Sequence, residues 1–285
     1  MRKRRPQGEE ASAPWPAALY RASVPLQARL AEIADLLGNP FDRTLLEIGS
    51  DHGATAWHLR RLGGNWENAD PDAASTASLQ ELAGDRALHI PGPDLPYGDA
   101  TFEVVVISGG LERVADDSRL IAECHRVLKP LGRLIVAVPG IKRLSLPRGL
   151  GRLLGLTAER LGRVRLGYTE SQLFDLLKDG FDVELARTCN RFFVELLEAV
   201  AQWGARKGAD EAGWGASSLR WYGALRYPFK LAVALDTLLA FTRGYDLIAR
   251  ARRRPWRPRR APILSDGRSI AEAALGGKIG TAAPF

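Results

Sequence analysis

Cysteine and histidine are scarce in this 285-residue chain, with 2 cysteines (Cys124 and Cys189) and 4 histidines. So few thiols exclude a disulfide-stapled scaffold and a cysteine-rich metal site. No zinc-ligand cluster occurs at any spacing, and no carboxylate set suggests metal-assisted chemistry. Long apolar runs are also missing. The most apolar stretch, Phe229–Phe241, is interrupted by Lys230 and Asp236 and falls short of the roughly 20 residues that span a bilayer. Met1-Arg-Lys-Arg-Arg5 has the charge of a signal-peptide start, but Gln7-Gly-Glu-Glu10 follows instead of an apolar segment, so a cytoplasmic protein is expected.

The rest of the composition is that of an ordinary globular chain, 46% hydrophobic and 26% charged, which excludes disorder as the main state. The net charge of +7 is matched by the arginines at 250, 252, 253, 254, 257, 259 and 260 alone. Basicity is therefore a local feature and does not by itself make the protein a nucleic-acid binder.

Hydrophobic patterning divides the chain. Residues 1–24 are Arg-, Pro- and Ala-rich without periodicity and read as a flexible arm. Leu26, Leu30, Ile33, Leu36 and Leu37 predict a helix over 25–37, stopped by Gly38-Asn-Pro40. Strands and helices then alternate, with strands expected at 44–48, 65–69, 87–90, 102–108 and 134–138 and helices at 54–62, 73–82 and 117–128. Phe102–Ser108 is continuously apolar, as a strand buried on both faces should be. This alternation argues for a parallel sheet covered on both faces. Further strands are expected at 181–188 and 245–251, after a helix opened by the capping box Thr169-Glu-Ser-Gln172. A helical region lies between them, with helices over 193–203 and 218–241, and 253–285 is a basic Pro-, Gly- and Ala-rich tail.

The stretch Leu45-Leu-Glu-Ile-Gly-Ser-Asp-His-Gly53 carries the functional signal. A strand runs into a glycine-bounded loop and then a helix, so Gly49 permits a sharp turn and Gly53 permits close packing at the helix start. Glu47 and Asp51 would repel a pyrophosphate, which disfavours a dinucleotide and suits a cationic or amino-bearing ligand. About twenty residues on, Asp70 closes the second strand, where a carboxylate can accept both hydroxyls of a ribose.

These motifs resemble class I S-adenosylmethionine-dependent methyltransferases of the type-11 family. Glu47–Gly53 stands where that family has E/D-x-G-x-G-x-G, and Asp94-Leu-Pro-Tyr-Gly-Asp-Ala-Thr-Phe-Glu103 resembles its LPF…FD segment. Glu123-Cys-His-Arg-Val-Leu-Lys-Pro-Leu-Gly132 is close to its E-x-x-R-V-L-K-P-G-G signature. The resemblance covers about 40–190. It implies an α/β Rossmann-like sheet of seven mostly parallel strands with helices on both faces, within a methyltransferase domain at 25–252 that carries a helical insertion at 191–242. It further implies S-adenosyl-L-methionine as cofactor, held by Glu47, Gly49, Ser50, Asp51, Gly53, Asp70, Gly92, Leu95 and Ser108. Three departures stand out: Asp51 replaces the loop's middle glycine, Pro91 replaces the acid that commonly meets the adenine amine, and Arg113 replaces a common histidine.

The acceptor side is less defined. Glu112 and Arg113, just past the fourth strand, are candidate catalytic residues, and His52 is a further group of base type. Segment 141–168 corresponds to the family's substrate cap and is rich in arginine, with Arg165 and Tyr168 as candidate substrate contacts. The expected acceptor is a small molecule, or one linked to a lipid or glycan. Ser108-Gly-Gly110 lacks the D/N-P-P-Y/F run that grips a flipped base, which argues against nucleic acid. A non-catalytic cofactor-binding scaffold or regulator is the alternative, and an RNA methyltransferase is third. Segment 229–260, apolar and then Arg-rich around Trp256, is a candidate for peripheral membrane contact.

Overall fold

In the computed structural model, residues 15–49, 52–83, 86–142, 145–208 and 214–255 are described. Seven strands form one sheet in the order β3-β2-β1-β4-β5-β7-β6. They are β1 (Thr44–Ile48), β2 (Asn65–Asp70), β3 (Ala87–His89), β4 (Phe102–Ser108), β5 (Leu128–Pro139), β6 (Phe181–Cys189) and β7 (Asp246–Arg253). The pairs among β1 to β5 are parallel, while β7 runs antiparallel to both β5 and β6. Helices α1 (Trp15–Ala22), α2 (Val24–Leu37), α3 (Ala54–Arg60), α4 (Ala73–Ala83) and α5 (Asp117–Val127) belong to the first half. Helices α6 (Leu146–Leu153), α7 (Glu170–Leu177), α8 (Phe192–Lys207), α9 (Trp214–Ala224) and α10 (Arg226–Leu238) follow.

The apolar run of β4 is explained by burial on both sides. Val105 and Ile107 pack into one core cluster with Leu120, Val127 and Leu173, and Val104 and Val106 into another with Leu30, Ile33 and Phe229. The order reverses at β1, which has β2 on one side and β4 on the other. In an open α/β sheet, the crevice beyond the strand ends at such a point is where ligands bind.

Three expectations need correction. The arm at 1–24 contains helix α1, with Pro16, Ala17 and Leu19 buried. Its prolines concealed it, yet proline is tolerated in a first helical turn, whose N–H groups have no intrahelical partner. The long helix expected over 218–241 is two helices meeting at Leu225. Pro228 lies in the first turn of α10, where its missing N–H breaks no bond. The tail does not begin at 253: Arg253 ends β7, and Arg254 donates its backbone N–H to Gly180 and pairs with Asp182 at 2.6 Å. Residues 1–14 and 256–285, including the rest of the Arg-rich run, lie outside the described residues.

Candidate functional site

The crevice is shaped by the ends of β1, β2 and β4. Gly49 has φ +77°, and a Cβ there would stand 2.5 Å from the backbone nitrogen of Gly110. Only glycine lets these two strand ends approach so closely. The Ser108 hydroxyl donates to the Gly49 carbonyl and to Glu47 at 3.1 Å, and Asn68 Nδ2 donates to Glu47 at 2.5 Å. Glu47 and Ser108 are buried, at 1% and 0% exposure. Their side chains brace the floor of the crevice from within.

Asp70 sits at the end of β2, buried, with Oδ1 accepting the Asp72 N–H at 2.8 Å. Asp72 caps the following turn by accepting from the Ser75 N–H at 3.1 Å and hydroxyl at 2.7 Å. Burial pushes the Asp72 carboxyl up, but these bonds, with Arg113 and His52 nearby, hold it below its ordinary value. His52, at φ +57°, places Nδ1 3.2 Å from the Ser75 hydroxyl, and Gly53 starts α3 at φ +87°. Space is open around Gly92, where a Cβ would meet nothing within 4 Å. Ser50 and Asp51 lie outside the described residues.

The signature segment has a mechanical role. Arg126 donates to the carbonyls of Leu95 at 2.9 Å and Tyr97 at 2.8 Å, and pairs with Asp99 and Glu123. Glu123 also accepts the Leu95 N–H at 3.2 Å. The pair therefore staples the loop between β3 and β4 to α5. Leu95 itself packs into the core, 4% exposed.

Next to the crevice lies a cavity of about 230 Å³, whose lining includes His52, Arg113 and Pro139 after or at the ends of β1, β4 and β5. Leu19 and Leu26 wall one side, and Leu156, Leu161 and Leu166 of the cap another. Arg148 and Arg152 of α6 face it together with Arg163, while α8 contributes Glu195, Glu198 and Arg206. Burial raises Glu195 to about 8, helped by Asp246 and Glu198 and opposed by Arg148 and Arg163. Glu198 is also raised by burial, although Tyr222 donates to it at 2.6 Å and Gln202 at 2.9 Å. A carboxyl poised near neutrality in a cavity can take or give a proton.

Several expected contacts are placed elsewhere. Arg165 pairs with Asp117 and donates to the Tyr168 hydroxyl at 2.7 Å, while Tyr168 donates to Asp117 at 2.9 Å. Neither lines this cavity, so both fasten the cap to α5, and the cap's facing cations are Arg148, Arg152 and Arg163. Glu112 is 1% exposed, its Oε1 lies 3.5 Å from Arg163, and its carbonyl accepts the Val164 N–H at 2.9 Å. It anchors the cap, whereas Arg113 lines the cavity. Glu195, Glu198 and Arg206 were missed because α8 reads as a plain amphipathic helix. Their spacing, 195, 198, 202 and 206, puts them on one helical face with Gln202 and was the available signal.

Residues 46–136 match the family model described as Methyltransferase domain. Curated relatives match over short spans. The demethylmenaquinone methyltransferase of Clavibacter sepedonicus is 31% identical over 96 residues, 32% of this chain and 39% of that protein. The ubiquinone/menaquinone biosynthesis C-methyltransferase of Haemophilus ducreyi is 52% identical over 42 residues, 15% of this chain and 16% of that protein. The chain thus spans about two fifths or less of these relatives. Among solved structures, a Bacillus halodurans C-125 protein provisionally named a methyltransferase aligns over 80% of this chain and 99% of its own, at 16% identity and TM-score 0.52. The 4+2 cyclase SpnF aligns over 79% of each chain, at 20% identity and TM-score 0.51. At these identities the likeness shows the fold alone, a Rossmann-like sheet.

Proposed function

We propose that the protein is an S-adenosylmethionine-dependent methyltransferase acting on a small-molecule, lipid-linked or glycan-linked acceptor. The observation that carries this reading is the adjacency of the two halves: the Gly49–Asp70 crevice and the acceptor-sized cavity meet at His52 and Arg113. The residues present fit the cofactor. The Gly49 turn, where a Cβ would strike Gly110, forms a cradle for close approach, and the buried Asp70 carboxylate suits ribose hydroxyls. Gly53 and the open backbone at Gly92 complete the set. When bound, the cofactor supplies a methyl group already activated for transfer.

The chain's own contribution is orientation and exclusion of water, which supply most of the rate in such a reaction. Helix α6, the cap at 155–166 and α8 enclose the acceptor. Glu195 holds or takes the proton that an acceptor hydroxyl or amine must lose. The arginines facing inward and the limited cavity favour a compact acceptor over a nucleic acid.

A peripheral membrane variant is favoured by one observation. Tyr227, Leu231, Ala234 and Leu238 form one exposed stripe on α10, continued by Phe241. An apolar stripe of this kind can lie in a lipid interface. Among the described residues no helix is long and apolar enough to cross a membrane. Flotation with anionic vesicles, lost in the double variant Leu231→Ser, Leu238→Ser, tests it.

The main reading is tested by supplying methyl-labelled cofactor and an acceptor panel to wild type and Asp70→Ala. Transfer by wild type alone supports it. Tight cofactor binding without transfer to any acceptor favours the scaffold reading, and transfer to tRNA alone favours the RNA reading.

A further inference from the structure

The cavity separates its charges in an unusual way. Glu195 and Glu198 lie within the field of Asp246, Arg148, Arg163 and Arg29. Arg206, facing the same cavity, feels chiefly other cations: burial lowers its pKa, and Arg163 and Arg113 lower it further. These three arginines reach the cavity from separate parts of the chain, the turn after β4, the cap and α8. Among the described residues, the guanidinium groups of Arg113 and Arg206 make no hydrogen bond or ion-pair contact, and Arg163 has only Glu112, at 3.5 Å. Like charges gathered with Glu112 as the close carboxylate repel one another in the empty protein, and an anion placed among them relieves that repulsion.

Among the described residues, Glu112 is the one carboxylate within ion-pair distance of the three guanidinium groups, so their remaining donors can fork onto the oxygens of a phosphate monoester. The cap leucines Leu156, Leu161 and Leu166 line the same cavity.

We propose that Arg113, Arg163 and Arg206 bind the phosphate of a phosphomonoester acceptor whose apolar portion lies along Leu156, Leu161 and Leu166. This deepens the methyltransferase reading and rests on it for the word acceptor, though the anion site itself does not. The phosphate, forked between guanidinium groups, fixes the orientation of the molecule beside the Gly49–Asp70 crevice.

The test is calorimetric titration of the full chain with octyl phosphate, octanoate, octanol and inorganic phosphate. Octyl phosphate is expected to bind at least tenfold tighter than octanol and more tightly than octanoate, with an affinity that falls as salt rises. Arg206→Gln and Arg113→Gln should each lose about tenfold to a hundredfold for octyl phosphate, while S-adenosylmethionine affinity in Arg206→Gln stays at the wild-type value. Unliganded Arg206→Gln should melt no lower than wild type, since it removes repulsion, which separates a binding role from a structural one. Flotation of wild type on phosphatidic acid vesicles, lost in Arg206→Gln, supports the site and assigns the phosphate to a lipid. Octyl phosphate binding without flotation supports it and assigns a soluble ester. Octyl phosphate binding no tighter than octanol, or unchanged in both variants, overturns the proposal. Binding of octyl phosphate without any binding of S-adenosylmethionine would leave the anion site standing and remove the methyltransferase reading.

Discussion

On the β1–β4 side, each group that shapes the crevice lies at a strand end or in the loop that follows it. Gly49 ends β1, Asp70 ends β2, and Ser108 with Gly109 and Gly110 ends β4, so the sheet alone brings them together. On the helical side nothing is local. The cavity draws Arg113, Arg163 and Arg206, with Glu195 and Glu198, from a turn, a cap and a helix spread over about ninety residues. A site made of strand ends tolerates no change in backbone, whereas a site made of long side chains can be rebuilt residue by residue on the same frame. One fold can thus serve many acceptors while keeping one cofactor crevice.

Breaking the backbone site should give the largest effect. Gly49→Val forces a β-branched residue into a left-handed conformation and against Gly110, a loss of about 3–5 kcal/mol. Denaturant unfolding should show this loss, with no cofactor binding in the surviving fold. Arg126→Ala comes next, because it leaves the Leu95 and Tyr97 carbonyls without the guanidinium donor and Glu123 without its ion-pair partner. A loss of about 2–3 kcal/mol is expected, together with weaker cofactor binding as the 94–99 loop loosens.

Glu195→Gln sharpens the helical side. Burial raises Glu195 from the ordinary 4.5 to about 8, so the folded protein holds this proton more tightly than the unfolded chain. Its favourable contribution is complete below about pH 4.5 and is lost as pH rises through 8. The variant should therefore melt about 4 °C higher than wild type at pH 8.5 and close to wild type at pH 5. Equal melting curves at both pH values would contradict the assignment. Tyr168→Phe should have the smallest effect, about 1 kcal/mol for its bond to Asp117. Octyl phosphate affinity should stay unchanged, because Tyr168 fastens the cap without facing the cavity.

The same contrast explains what the chain's pattern revealed. Five parallel strands were visible because buried strands read as short apolar runs between turn residues, and Glu47–Gly53 with Asp70 was visible because the crevice is contiguous in sequence. The arginine wealth of 141–168 was equally plain, but which arginines face inward depends on helix rotation and on partners far away. Asp117 captures Arg165, and Glu112 lies beside Arg163. Helix α1 was hidden by the prolines at 14 and 16 of the sequence, and α8 by its regular apolar face, which drew attention from the polar row running through 195, 198, 202 and 206.

The central claim, that the β1–β2–β4 crevice is a cofactor site, is tested most directly by titrating the full chain with S-adenosylmethionine beside Asp70→Ala. Micromolar binding by wild type, weakened about a hundredfold or more in Asp70→Ala with an unchanged fold, is the predicted result. Absence of binding to wild type, or equal binding by the two proteins, would contradict it.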